Sequence, residues 1–135
     1  MTMLAMLVLG VKAQDNNGDI VKVGEMMPSF SIVSDNGTKI NSAELKGKVV
    51  LINFFATWCQ PCKAMHPILE QVKSVLGDRI RIIKVDVDKY GVTASQYRIQ
   101  SVPTLMLFRN GEVLWRTSGV VDKAELLATL DPFLK

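Results

Sequence analysis

The run Val49-Val50-Leu51-Ile52-Asn53-Phe54-Phe55 leads through Ala56-Thr57-Trp58 into Cys59-Gln60-Pro61-Cys62, and a helical pattern follows from Lys63 to Leu76. A continuous apolar run of that length, bounded on both sides, reads as a buried strand. Met65, Ile68, Leu69, Val72 and Val75 to Leu76 recur at helical spacing and read as a core-facing stripe. The only two cysteines of the chain therefore lie at a strand-to-helix junction. Cys59 falls near the helix N-terminus, where unpaired N–H groups and the positive end of the dipole favour a thiolate. A thiolate is the nucleophile of disulfide exchange, and a second cysteine three positions on can displace the mixed disulfide it forms. The junction thus suits redox chemistry.

Such a pair has other uses. A structural zinc site needs four ligands, and here only His66 could join Cys59 and Cys62, from four residues further along the helix. A purely structural bridge across so short a loop would remove little chain entropy. Haem attachment needs histidine directly after the second cysteine, and Lys63 stands there. Redox exchange needs no metal and no cofactor, and none is expected.

A chain of 135 residues with 48% hydrophobic content fits one domain with a real core. The formal charge of +3 falls to +2 without residues 1–13, which carry Lys12. Acidic and basic residues are mixed, and no basic run interleaved with aromatics argues for nucleic acid. Leu4 to Val11 is an apolar run, and Val11-Lys12-Ala13 places small or apolar residues where a signal peptidase inspects the chain. Residues 1–13 are accordingly expected to be a signal segment, 14–23 a polar linker and 24–135 the folded domain. The expected location is extracytoplasmic, in the periplasm, or cytoplasmic if the first segment is no signal. The run is too short for the roughly 20 residues that span a bilayer.

Along the domain, Phe30 to Val33 and Lys39 to Asn41 flank Asp35-Asn36-Gly37-Thr38, a hairpin signal. Ser42 is placed to cap a brief helix through Leu45, and Pro67 predicts a kink in the long helix. Ile80 to Val87 reads as a strand and Val92 to Ile99 as a short helix. Thr104 to Phe108 and Glu112 to Thr117 read as a hairpin about Asn110-Gly111, and Asp122 caps a last helix to about Leu134. The order predicts an α/β fold, with parallel strands joined by a crossover and an antiparallel pair at one side.

Trp58-Cys59-Gln60-Pro61-Cys62-Lys63, Pro67, Val102-Pro103-Thr104 and Phe108-Arg109-Asn110-Gly111-Glu112-Val113 resemble the thioredoxin superfamily over roughly residues 45–134. Gly24-Glu25-Met26-Met27-Pro28-Ser29-Phe30 and Leu45 to Phe54 are similar to the TlpA-like extracytoplasmic thioredoxins. The resemblance implies a thioredoxin fold, a central mixed sheet flanked by helices, here with an N-terminal β-hairpin extension. It also implies roles. Cys59 would be the attacking thiolate and Cys62 the resolving thiol, joined as a disulfide when oxidised. Pro61 would stiffen the loop, Trp58 would pack beside it, and Pro103 would be cis and present the Val102 backbone to substrate. Three positions depart from the family pattern. Gln60 replaces a small glycine, Met65 replaces the glutamate of several extracytoplasmic relatives, and Asn53 stands where many thioredoxins bury an acid. Lys84 matches the lysine that neighbours that acid. Asn53 is then either a group that satisfies buried polar atoms or part of the catalytic apparatus.

These implications describe a monomeric thiol–disulfide oxidoreductase. Its partners would be protein disulfide substrates and an upstream thiol reductase. Gln60-Pro61 points to a reductase, because strong oxidants of the family tend to carry histidine there. The rival is a non-redox thioredoxin-like binding or holdase module, against which the intact cysteine pair speaks.

Overall fold

The computed structural model describes residues 23, 24, 26, 29–33 and 37–135. The expected signal segment and all but Val23 of the expected linker lie outside them.

β3 (Val49–Phe55) is the second strand of a four-stranded sheet of order β4-β3-β5-β6. Its seven residues are almost wholly buried because both faces of the sheet are covered. β4 (Arg81–Asp86) runs parallel to β3, with Asn53 opposite Lys84. That pairing requires a crossover, which α1 (Gln60–Leu76) supplies. β5 (Thr104–Arg109) is antiparallel to β3 and places Leu105 opposite Asn53. β6 (Glu112–Ser118) completes the sheet through a tight hairpin. Asn110 and Gly111 both have positive φ there, at 52° and 82°, as a two-residue hairpin turn demands. Asn110 Oδ1 also accepts the Gly47 N–H at 2.8 Å, tying this turn to the start of β3.

Strand alternation divides the core into two layers. Val50, Ile52 and Phe54 pack with Ile83, Val85, Met106 and Tyr97 on one face. Leu51 packs with Met65, Leu69 and Val72 of α1, and with Leu126 and Leu130 of the last helix, α3 (Lys123–Leu130), on the other. The short helix α2 (Gly91–Gln96) contributes Tyr97, its C-cap residue, to the first layer. β1 (Ser31–Val33) and β2 (Lys39–Asn41) form a separate antiparallel pair whose Ile32 and Ile40 close that layer. The Tyr90 hydroxyl accepts the Val33 N–H at 3.1 Å and donates to the Val33 carbonyl at 2.9 Å, so one side chain completes the edge of β1. Upstream, Met26 bridges Glu112 at the edge of β6.

Three local expectations change. The turn at Ser42–Leu45 is a 3₁₀ helix capped by Asn41, whose side chain accepts the Ala43 N–H, while Ser42 Oγ instead accepts the Phe30 N–H at 3.1 Å. The long helix begins one turn before Lys63, since Pro61 lacks an N–H only where the first turn leaves that group unpaired anyway. Pro67 falls inside this helix, at an exposed position between the buried anchors Met65 and Leu69. The last helix ends at Leu130, and a 3₁₀ turn carries the chain to Leu134. Asp122 caps it as expected, accepting the Glu125 N–H at 2.8 Å.

Tyr97 is fully buried, and burial pushes its phenol well above the ordinary value of 10.0. The folded state therefore holds that proton to higher pH than the unfolded chain does. Its stabilising effect is intact below about pH 10 and is lost above it, by up to about 1.4 kcal/mol per pH unit. Denaturation midpoints of the native protein should fall more between about pH 8 and 11 than those of Tyr97→Phe. Equal slopes would show that the phenol ionises without strain in place.

Candidate active site

The redox pair is built by the end of β3 and the start of α1. Cys59 is the N-cap of α1, in extended conformation, and its Sγ accepts the Cys62 N–H at 3.1 Å. This is the contact an N-cap side chain makes to an orphan donor of the first turn, here with sulfur as acceptor. Pro61 occupies the first turn between the two cysteines, where proline is tolerated. Cys59 and Cys62 form a disulfide, with Cα atoms 5.2 Å apart.

The two sulfurs have different surroundings. Cys62 lies on the inner side of α1 with no exposed surface, packed with Phe55 and Ala56. Cys59 lines a groove of about 500 Å³ whose wall includes Trp58, Pro61, Val87, Ile99 and Val102. The groove contains no charged side chain. The Val102–Pro103 bond is cis, as the resemblance implies, and the Val102 carbonyl lies 3.8 Å from Cys59 Sγ. Trp58 is 68% exposed at the rim, and its Nε1–H donates to Asp88 Oδ2 at 2.9 Å. Asp88 is in turn held by the loop after β4, where Asp86 Oδ1 accepts the N–H groups of Asp88 and Lys89.

Several of these residues were not singled out from sequence. Asp88, Val87 and Ile99 reach the site only because β4 runs parallel to β3 and ends beside it. The one sequence signal was Asp86-x-Asp88, a turn-forming pair after a strand. Arg116 is a further case. Its guanidinium donates to the carbonyls of Tyr97 and Arg98, both at 3.1 Å, and so holds the segment that leads to Ile99 and Val102.

Asn53 and Lys84 meet as register partners on β3 and β4. Asn53 is fully buried, and neither its Oδ1 nor its Nδ2 has a hydrogen-bond partner. It therefore does not satisfy other buried polar groups, as one of its two expected roles required. Met65 is core, with its sulfur accepting the Val121 N–H at 3.4 Å. Gln60 sits on the exposed rim of the groove. His66 packs edge-on against Phe55, ring centroids 5.3 Å apart. Among the described residues no three His, Cys, Asp or Glu side chains gather to hold a metal.

The thioredoxin family model matches residues 31–132. The chain belongs to the thioredoxin family. The thioredoxin-like protein slr0233 of Synechocystis is 51% identical over 87 residues, covering 64% of this chain and 83% of that one. The chloroplastic thioredoxin Y of rice is 39% identical over 92 residues, or 68% of this chain, and the chain spans only 55% of its length. A solved thiol:disulfide interchange protein of Chlorobium tepidum superposes with a TM-score of 0.71 at 25% identity, over 84% of this chain and 99% of its own. That broader coverage takes in part of the chain ahead of β3, where the thioredoxin resemblance adds its hairpin. The fold is the thioredoxin fold with an N-terminal two-stranded extension. The cysteine pair at its helix N-cap makes the protein a thiol–disulfide oxidoreductase, and the binding-module alternative is not favoured.

Proposed function

We propose that this thioredoxin-family protein reduces disulfides of protein substrates, with Cys59 as the attacking thiolate and Cys62 as the resolving thiol. The observation that carries the reading is the asymmetry of the pair. Cys59 opens onto an apolar groove, and Cys62 has no exposed surface. A substrate strand laid along the groove would meet Cys59 Sγ beside the Val102 backbone, with Trp58, Gln60 and Pro61 as its walls. The substrate disulfide is attacked by Cys59, and one substrate sulfur leaves as a thiolate. Cys62 then forms the bond to Cys59, and the second substrate sulfur leaves. Each turn consumes one reduced pair, so an upstream thiol reductase must restore it.

The reductive direction is supported by Gln60-Pro61 between the cysteines. An extracytoplasmic, periplasmic site of action is supported by the apolar run Leu4 to Val11 followed by Ala13. Among the described residues no helix is long and apolar enough to cross a membrane.

The test is a redox titration of the Cys59–Cys62 pair combined with an assay of catalysed reduction of a protein disulfide by a small dithiol. Catalysis together with a potential at or below about −230 mV is expected of a reductase. A potential near about −120 mV would make the protein an oxidant, and absence of catalysis would return it to the class of binding modules.

A further inference from the structure

β6 lends no residue to the lining of the groove, yet it holds one of the groove's walls. Its Arg116 lies opposite Met106 of β5, and so shares the sheet face that carries Met106 and Tyr97, away from α1. The side chain is half-buried there, and its guanidinium reaches the C-terminal end of α2. Nη1 donates to the Tyr97 carbonyl and Nη2 to the Arg98 carbonyl, both at 3.1 Å. Two consecutive carbonyls held by one rigid, charged fork fix the direction of the backbone as well as its position.

That stretch of backbone is strained. Arg98 has φ 55°, in the left-handed region that residues other than glycine enter at a cost. Such a conformation persists where its surroundings over-determine it. From there the chain runs directly into the groove wall, Ile99-Gln100-Ser101-Val102, of which Gln100 and Ser101 are exposed. The sheet fixes the far end of this wall. The Thr104 hydroxyl donates to the Ser101 carbonyl at 2.7 Å, and the Gly119 N–H donates to the Pro103 carbonyl at 2.9 Å. At the near end the Ile99 N–H donates to the Ala94 carbonyl at 3.1 Å, and the Arg116 fork grips the two carbonyls just before it.

We infer that Arg116 is a positioning residue for protein substrates: by holding the Tyr97 and Arg98 carbonyls, it keeps residues 99–102 in the arrangement on which an extended substrate strand can lie. The inference rests on the proposed reduction of protein disulfides in this groove. A small disulfide can meet Cys59 Sγ without lying along the wall. Arg116 therefore favours protein disulfides over small ones, with no bond of its own to either. A released wall samples other arrangements, and the apparent affinity for a strand falls with the fraction that remains competent.

The test uses Arg116→Met, which keeps an apolar stem and removes both bonds. Reduced protein is mixed with an excess of a disulfide-bonded protein, and its oxidation is followed through a single turnover. Half-saturation should move up about tenfold, as for a wall competent about a tenth of the time, while the plateau rate stays within about twofold. The rate with a small aromatic disulfide should also stay within about twofold, because that reaction does not draw on the wall. Amide order parameters of Ile99 to Val102 should fall from about 0.85 to about 0.6, and those of β3 should not. Arg116→Lys keeps a cation without the fork, and should move half-saturation about threefold. It decides the matter if Arg116→Met does not fold. A half-saturation unmoved by these variants, or a small-disulfide rate that falls in step with it, would overturn the inference and leave Arg116 a support of the fold alone. Failure of the proposed function would show separately, as a native protein inert towards protein disulfides.

Discussion

Replacing Cys62 by serine is expected to arrest the protein on its substrates as a covalent complex through Cys59, whereas Cys59→Ser forms no complex at all. The difference follows from the geometry of the pair. Cys59 lines the groove and stays able to attack, at a helix N-terminus that favours its thiolate. Cys62 lies within the same helical turn, so its attack on the mixed disulfide is intramolecular and oriented. An external thiol at millimolar concentration cannot match that, and turnover of Cys62→Ser should fall on the order of 10³-fold or more. Cys59→Ser should lose turnover as completely, but without trapping anything. Non-reducing electrophoresis after incubation with a disulfide-bonded protein distinguishes the two. Trapping by Cys59→Ser in place of Cys62→Ser would exchange the roles of the cysteines. Normal turnover in both variants would remove the pair from the mechanism.

The second large effect concerns the fold. Phe54 lies on β3 with no exposed surface, on the sheet face away from α1. Its ring meets Tyr97 edge-on, with centroids 5.7 Å apart, so it couples the central strand to the end of α2. Phe54→Ala should cost about 3–5 kcal/mol, from the lost burial and the cavity left behind. A domain of this size has only about 5–15 kcal/mol in total, so the variant should melt at far lower temperature. Chemical denaturation of both proteins measures it. A loss below about 1 kcal/mol would mean that Tyr97, Met106 and Val85 collapse into the space, which the tight packing of an α/β core opposes. Because Phe54 faces away from the cysteines, trapping by Cys62→Ser should persist in the double variant wherever it remains folded.

The N-terminal hairpin also reaches the loop beside the groove. Tyr90 closes the edge of β1, and two residues earlier Asp88 receives the Trp58 indole N–H. One short loop after β4 thus serves the extension on one side and the groove on the other.

Strands and helices whose stabilising pattern is local were legible in the residues alone. Val49 to Phe55 reads as a buried strand and Met65 to Leu76 as a helix with one face buried, and both form as such. Asn110-Gly111 could only turn a hairpin, since that turn needs positive φ at both positions. Cys59 and Cys62 declared their chemistry because two residues of spacing at a helix start suffices for it. Whatever depends on residues far apart in the chain is set only when the fold assembles. Local preference allowed Ser42 as a cap, but the approach of Phe30 drew its hydroxyl away and left Asn41 to cap the turn. Nothing near Trp58 in sequence predicts its bond to Asp88, which exists because a parallel β4 ends beside β3. Asn53 is the clearest case. Its burial was legible from the strand pattern, but whether a buried amide is satisfied depends on every group around it in space. Leu105, Lys84 and the underside of α1 come together there only when the sheet is assembled, and they leave it unpaired.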